Sequence, residues 1–149
     1  MTTRILFVCL GNICRSPTAE GVFRGLAAQA GKDVMVDSAG TSGWHNADLP
    51  DRRSMAEAAV RGYDLSDQRS RKLVAADFDT FDLIIGMDHA NMENLRALVP
   101  KGARAQLKLF LDYAPDQAIR EVPDPYYEDN FDGVFDLIEQ ASRGLLRHL

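Results

Sequence analysis

Cys9 and Arg15 stand with five residues between them in the run C-L-G-N-I-C-R-S, flanked by a short apolar strand and the start of a helix. A helix N-terminus presents unpaired backbone N–H groups and a partial positive charge, which together favour an anion. A cysteine in that field is favoured as the thiolate, the nucleophilic form. Arg15 adds a planar fork that can hold two oxygens of a phosphate. The loop from Leu10 through Gly11, Asn12, Ile13 and Cys14 to Arg15 therefore reads as a phosphate cradle around a nucleophile, with no carboxylate of its own. The spacing alone is common, and a buried structural cysteine beside a surface arginine would share it; the context raises it. Gly11 and Asn12 tolerate left-handed backbone, and Ser16-Pro17 reads as an N-cap followed by proline at the first helical position. A nucleotide-binding loop of the G-K-[ST] kind fits less well still, because this loop contains no lysine.

Phosphoryl transfer to Cys9 would leave a phosphocysteine for water to hydrolyse. Arg15 and the loop N–H groups would offset the repulsion between two anions. Ser16 has two readings: a cap worth about 1 kcal/mol, or a hydroxyl donating to Cys9, which favours the thiolate and makes it a better leaving group. The leaving oxygen also needs an acid. Of the 22 carboxylates, Asp124 stands out because Pro123 and Pro125 stiffen its loop, although P-D-P is also plain turn chemistry. Trp44, Tyr126 and Tyr127, with Ile13, are candidates for the walls of a slot that takes a flat ring. His45, His89 and His148 are scattered and read as solvated, and no metal site is expected. Arg52, Arg53, Arg69 and Arg71 either flank the mouth or coat a solvated helix face.

The elements that must position these residues alternate strand and helix, which implies a parallel sheet covered on both faces. Strands are expected near Ile5–Cys9, Val34–Ser38, Phe81–Met87 and Leu107–Leu111. Helices are expected from Pro17 to a stop at Gly31, through Met55, Ala58 and Ala59 to Gly62, as a short piece around Lys72–Ala76, and from a cap at Asp88 through Met92, Leu95 and Leu98. The last helix has the cleanest apolar stripe: Phe131, Val134, Phe135, Ile138, Leu145, Leu146 and Leu149. Ligands of such folds bind at the carboxyl ends of the strands, where Cys9 lies.

V-C-L-G-N-I-C-R-S-P-T-A-E at 8–20 resembles the signature of the low-molecular-weight protein tyrosine phosphatases. D-S-A-G-T-S-G-W-H (37–45), M-D-H-A-N-M-E-N-L (87–95) and V-P-D-P-Y-Y (122–127) follow in that family's order, so the resemblance spans most of the chain. It implies an α/β, doubly wound, four-stranded parallel sheet with the phosphate-binding loop after strand one. It also implies hydrolysis of phosphotyrosine by Cys9, with Arg15 as phosphate clamp and Asp124 as general acid and base, and no cofactor. Asn12 would be held by a hydrogen-bond network that includes Ser38. Many members carry a histidine where this chain has Gln68, which can donate and accept but cannot titrate. In related enzymes a threonine at the position of Ile13 favours phosphoarginine, and a bulky aliphatic favours phosphotyrosine.

With 149 residues the chain is expected to form a single phosphatase domain, 1–149. The net charge of −5 argues against nucleic acid as a partner, and no apolar run approaches a membrane span. The first apolar run reads as a strand rather than a signal peptide, so a reducing cytoplasm is the expected location. The expected partners are phosphotyrosine-containing proteins, with inorganic phosphate or vanadate as inhibitors. Arsenate reduction uses a similar loop, but a thioredoxin-coupled reductase needs relay cysteines downstream, and none follows Cys14. Protein arginine phosphatase is a substrate-level alternative. Cys9 and Cys14 share one tight loop, so a reversible disulfide between them is a further expectation, against a plain packing role for Cys14.

Overall fold

Strands Thr3–Cys9 (β1), Val34–Gly40 (β2), Leu83–Gly86 (β3) and Gln106–Leu109 (β4) pair in parallel in the order β2-β1-β3-β4. The computed structural model describes the backbone of all 149 residues and every side chain except those of Tyr127 and Glu128. β1 is buried from Ile5 to Cys9 because helices cover both faces of the sheet, and parallel strands covered in this way read as continuous apolar runs. Alternation along β1 divides it between two cores. Ile5, Phe7 and Cys9 pack with Phe23, Phe110 and Phe135 beneath α1 (Arg15–Gln29), α2 (Arg52–Val60) and α6 (Phe131–Arg147). Leu6 and Val8 pack with Phe78, Phe81, Met92 and Leu95 beneath α3 (Asp77–Thr80) and α4 (His89–Leu98).

The strand order reverses at β1, whose neighbours β2 and β3 lie on opposite sides, so a crevice opens at its carboxyl end. The chain leaving Cys9 turns there into α1. The end of β2 backs this turn: Thr41 N–H donates to the Cys9 carbonyl and Ser42 N–H to that of Leu10, each at 3.0 Å. Gly40 permits the approach, because a Cβ at that position would lie 2.8 Å from the Leu10 carbonyl oxygen.

Several boundaries differ from the sequence reading. α1 begins at Arg15, not Pro17, and Ser16 is not its cap; Cys14 holds that place with no side-chain capping bond. The short helix expected at Lys72–Ala76 lies at Asp77–Thr80 (α3), because Lys72 pairs with Gly40 in an isolated bridge and Leu73 N–H donates to the Gly40 carbonyl. β4 ends at Leu109, and the apolar residues after it wind into a 3-10 turn, Phe110–Tyr113. The P-D-P segment caps a helix of four residues, Pro125–Glu128 (α5), which has no periodicity to announce it.

Candidate active site

The side-chain amide of Asn12 sets the direction of the hydroxyl hydrogen bonds behind Cys9. Arg71 N–H can only donate, and it points at Asn12 Oδ1 at 3.0 Å, which fixes the Asn12 NH₂ on the opposite side. That NH₂ reaches both Ser16 Oγ at 2.8 Å and Ser38 Oγ at 2.9 Å. Both hydroxyls therefore accept from Asn12 and keep their own protons to donate. Ser16 lies 3.0 Å from Cys9 Sγ, so its proton goes to the sulfur; Ser38 donates to Glu20 Oε1 at 2.7 Å. Asn12 N–H adds a second donor to Cys9 Sγ at 3.3 Å. Asn12 holds φ = 56°, in the left-handed region that asparagine tolerates, and this turns the loop back over the sulfur. Burial raises the Glu20 pKa, and Ser38 and Arg24 partly offset that effect.

Arg15 is 3% exposed, yet it is charged and well partnered. Its Nη1 donates to Asp88 Oδ2 at 2.6 Å and to the Val122 carbonyl at 3.0 Å. Burial alone would lower its pKa, but the charges of Cys9, Asp88 and Asp124 outweigh that and raise it. Both hydrogen bonds fall on Nη1, which leaves the Nε–Nη2 edge for the oxygens of a ligand. Asp124 Oδ2 lies 3.6 Å from Nη2, beyond a hydrogen bond and at the edge of the same space. The other Asp124 oxygen caps α5 by accepting from Tyr126 N–H at 3.0 Å. One carboxylate oxygen thus anchors the loop while the other faces the cleft.

The cleft is floored by Cys9, Leu10, Gly11, Ile13, Cys14 and Arg15, and walled by Trp44, His45, Asp124 and Tyr126. Asn12 and Ser16 lie buried behind it. Trp44 is 80% exposed and Tyr126 44%, so the slot has aromatic rims open to solvent. Tyr127, the remaining slot residue expected, lies outside the described residues. Cys14 is buried, and its thiol is pushed up to about 12 by that burial and by Asp51, so it remains a neutral thiol at physiological pH. Among the described residues no cluster of side chains could hold a metal ion.

Gln68 makes no hydrogen bond to Asn12. Its Nε2 donates to the Pro17 carbonyl at 3.0 Å in the first turns of α1, and backbone N–H of Arg71 supplies the donor that orients Asn12. Arg71 is itself tied to Asp37 and Asp77, and Arg69 is bonded to carbonyls of its own loop. Neither reads as a cation waiting for substrate. Sequence reasoning missed Asp88 as more than a helix cap, and its position directly after β3, beside β1, was the available signal. His45, expected to be solvated, lies against Gly11: a Cβ there would come within 3.1 Å of the imidazole. Its adjacency to Trp44 could have flagged it.

The family model for low molecular weight phosphotyrosine protein phosphatase matches residues 4–149. The low molecular weight protein-tyrosine-phosphatase YfkJ of Bacillus subtilis is 41% identical over 144 residues, covering 95% of this chain and 92% of its own. A low molecular weight phosphotyrosine protein phosphatase of Schizosaccharomyces pombe is 38% identical over 151 residues, covering 98% and 96%. The crystal structure of YfkJ superposes with a TM-score of 0.94 at 39% identity, across 99% of this chain and 94% of that one.

Proposed function

This chain belongs to the low molecular weight phosphotyrosine protein phosphatases, and from that premise we propose that Cys9, Arg15 and Asp124 carry its hydrolysis of phosphotyrosine. The Cys9 thiolate attacks phosphorus in line, the phosphorus–oxygen bond to the phenol breaks, and protonated Asp124 gives its proton to the departing phenolate. Asp124, now a carboxylate, takes a proton from the water that attacks the phosphocysteine. Inorganic phosphate leaves and the thiolate returns. Arg15 and the loop N–H groups hold the three equatorial oxygens through both displacements. Ser16 supports each step from the sulfur side, because its donated proton stabilises Cys9 as nucleophile and as leaving group.

The observation that carries this reading is the convergence of three segments on one cleft: Cys9 at the end of β1, Arg15 starting α1, and Asp124 Oδ2 at 3.6 Å from Arg15 Nη2. The exposed Trp44 and Tyr126 rims fit the ring of a phosphotyrosine presented by a protein, and the aliphatic Ile13 on the floor favours that ring over phosphoarginine. Phosphate and vanadate would occupy the cradle as competitive inhibitors. The two free thiols fit a reducing cytoplasm. The test compares kcat/KM of purified protein on an aryl phosphate, phosphoserine, phosphoarginine and arsenate, with Cys9→Ser alongside. The aryl phosphate should dominate. Cys9→Ser should lose turnover while still binding vanadate, because the cradle survives the substitution. Preference for phosphoarginine or arsenate, or turnover by Cys9→Ser, would overturn the assignment.

A further inference from the structure

The floor of the site and its acid belong to different parts of the chain, and one side chain outside the cleft bridges them. Asp51, the N-cap of α2, donates its backbone N–H to the Ile13 carbonyl at 2.7 Å, which bolts the start of α2 to the phosphate loop. The Asp51 carboxylate in turn grips Arg53 through Nε and Nη2, both at 3.2 Å. The Arg53 guanidinium then reaches across to the segment after Asp124. It lies 5.8 Å from the Tyr126 ring centroid and 4.6 Å from that of Phe131, with Nη1 at 3.6 Å from Asp129 Oδ1. Tyr126 lies in the first turn of α5, and Asp129 and Phe131 follow its end; α5 is a helix of four residues and too short to hold itself. The orientation of Asp124 depends on α5, because its Oδ1 caps that helix through Tyr126 N–H.

We propose that Arg53 is a positioning residue for the acid: a strut that runs from the phosphate loop through Asp51 to the first turn of α5 and to the residues just after it, and fixes how far Asp124 Oδ2 stands from the reacting oxygen. This rests on the reading of Asp124 as the general acid. The strut requires a planar fork, since one guanidinium must meet a carboxylate edge-on while lying over two rings. A lysine ammonium is a point charge that cannot hold the carboxylate edge-on and cover both rings at once, so Lys should not substitute.

The test is a series of aryl phosphates of graded leaving-group basicity, read as kcat/KM, which reports the step that forms phosphocysteine. Arg53→Met and Arg53→Lys should each lose about 10–100-fold on phenyl phosphate, the scale of an ångström misplacement. Both should barely change on a dinitrophenyl phosphate, whose leaving group needs no proton. The activated substrate is thus an internal control for folding, and phosphate inhibition should stay at the wild-type value. Arg53→Met combined with Asp124→Asn should be no slower than Asp124→Asn alone, because the strut acts only through the acid. An equal loss across leaving groups, additivity in the double variant, or full rescue by Lys would overturn the strut and leave Asp124 as the acid. If Asp124→Asn itself shows no leaving-group dependence, the acid assignment falls and the strut falls with it.

Discussion

Replacing Asp88 by Asn separates two roles that one carboxylate performs. Asp88 Oδ1 accepts from Asn91 N–H at 2.7 Å, and the Asn91 side chain answers with an acceptor to Asp88 N–H, closing a capping box at the start of α4. Asp88 Oδ2 takes Arg15 Nη1 at 2.6 Å. Asparagine caps a helix about as well as aspartate, so its oxygen should keep the first role. Its NH₂ would then occupy the place of Oδ2 and point donors at a guanidinium that is itself only a donor. Arg15 is almost wholly buried, so losing that partner should cost about 1.5–3 kcal/mol, the worth of a hydrogen bond to a charged group. Asp88→Ala should cost about 1 kcal/mol more, because the cap goes as well.

Urea unfolding with and without inorganic phosphate separates this account from a generic loss of packing. In buffer free of phosphate and similar oxyanions Asp88→Asn should unfold at lower urea than wild type with an unchanged slope. Phosphate at about 100 times its dissociation constant should stabilise wild type by about 2.7 kcal/mol by mass action. It should stabilise the variant by more, since the dianion restores the missing counter-charge on Arg15 and meets no competing carboxylate. The gap between the two proteins should therefore shrink as phosphate is added. A gap that is absent without phosphate, or that phosphate leaves unchanged, would refute the view that Asp88 acts as the resting counter-ion of Arg15.

Ser16→Ala should slow breakdown of the phosphocysteine by about 10–150-fold, the equivalent of one hydrogen bond to a charged leaving sulfur. A stopped-flow burst of phenol equal to the enzyme concentration is the expected signature, and its absence would mean that Ser16 only buttresses Asn12. Cys14 carries an alkaline prediction. Its folded thiol keeps its proton up to about 12 against an ordinary 9.0, so the unfolded chain releases that proton first. Stability should then decline from about pH 9 towards pH 12, by on the order of 4 kcal/mol, and Cys14→Ser should remove that part of the slope in urea melts. The expected redox pairing with Cys9 has its own test: if Cys14 captures a sulfenic acid formed at Cys9, a disulfide results and the hydroxyl leaves with the Cys14 proton as water. Peroxide-treated wild type should recover activity with dithiol more fully than Cys14→Ser; equal recovery, with no intrachain disulfide by mass spectrometry, would leave Cys14 a packing residue.

The phosphate loop was legible in the sequence because its determinants are local: an apolar run for β1, Gly11 and Asn12 for the turn, and Pro17 for the helix. Asp124 was singled out by its prolines, but only the resemblance separated it from other turn aspartates, since nothing local says that one oxygen will cap α5 and the other face Arg15. The network around Asn12 was half legible. Ser38 enters it, while Gln68 bonds the Pro17 carbonyl and a backbone N–H of Arg71 orients Asn12, and no side-chain pattern reports which main-chain donor a fold will bring near. Asp88 shows a different limit. Its capping role is written in the spacing to Asn91, and that sufficient local explanation hid a second partner 73 positions away.

The helix start that sequence reasoning misplaced explains the anion site better than the one it expected. Had Ser16 capped α1, its hydroxyl would have been spent at the helix end on a backbone N–H that a phosphate oxygen could take. Instead Asn12 donates to that hydroxyl and turns its proton onto Cys9, and Asn12 is itself occupied by Arg71, Ser16 and Ser38. Cys14, at the cap position, makes no side-chain bond to the helix. An uncapped N-terminus costs stability, and it leaves N–H groups and a positive field beside a sulfur already supplied with two donors. Asn12 and Ser16 are thus committed to Cys9, to each other and to residues behind the loop, and the first turn of α1 is left for the ligand.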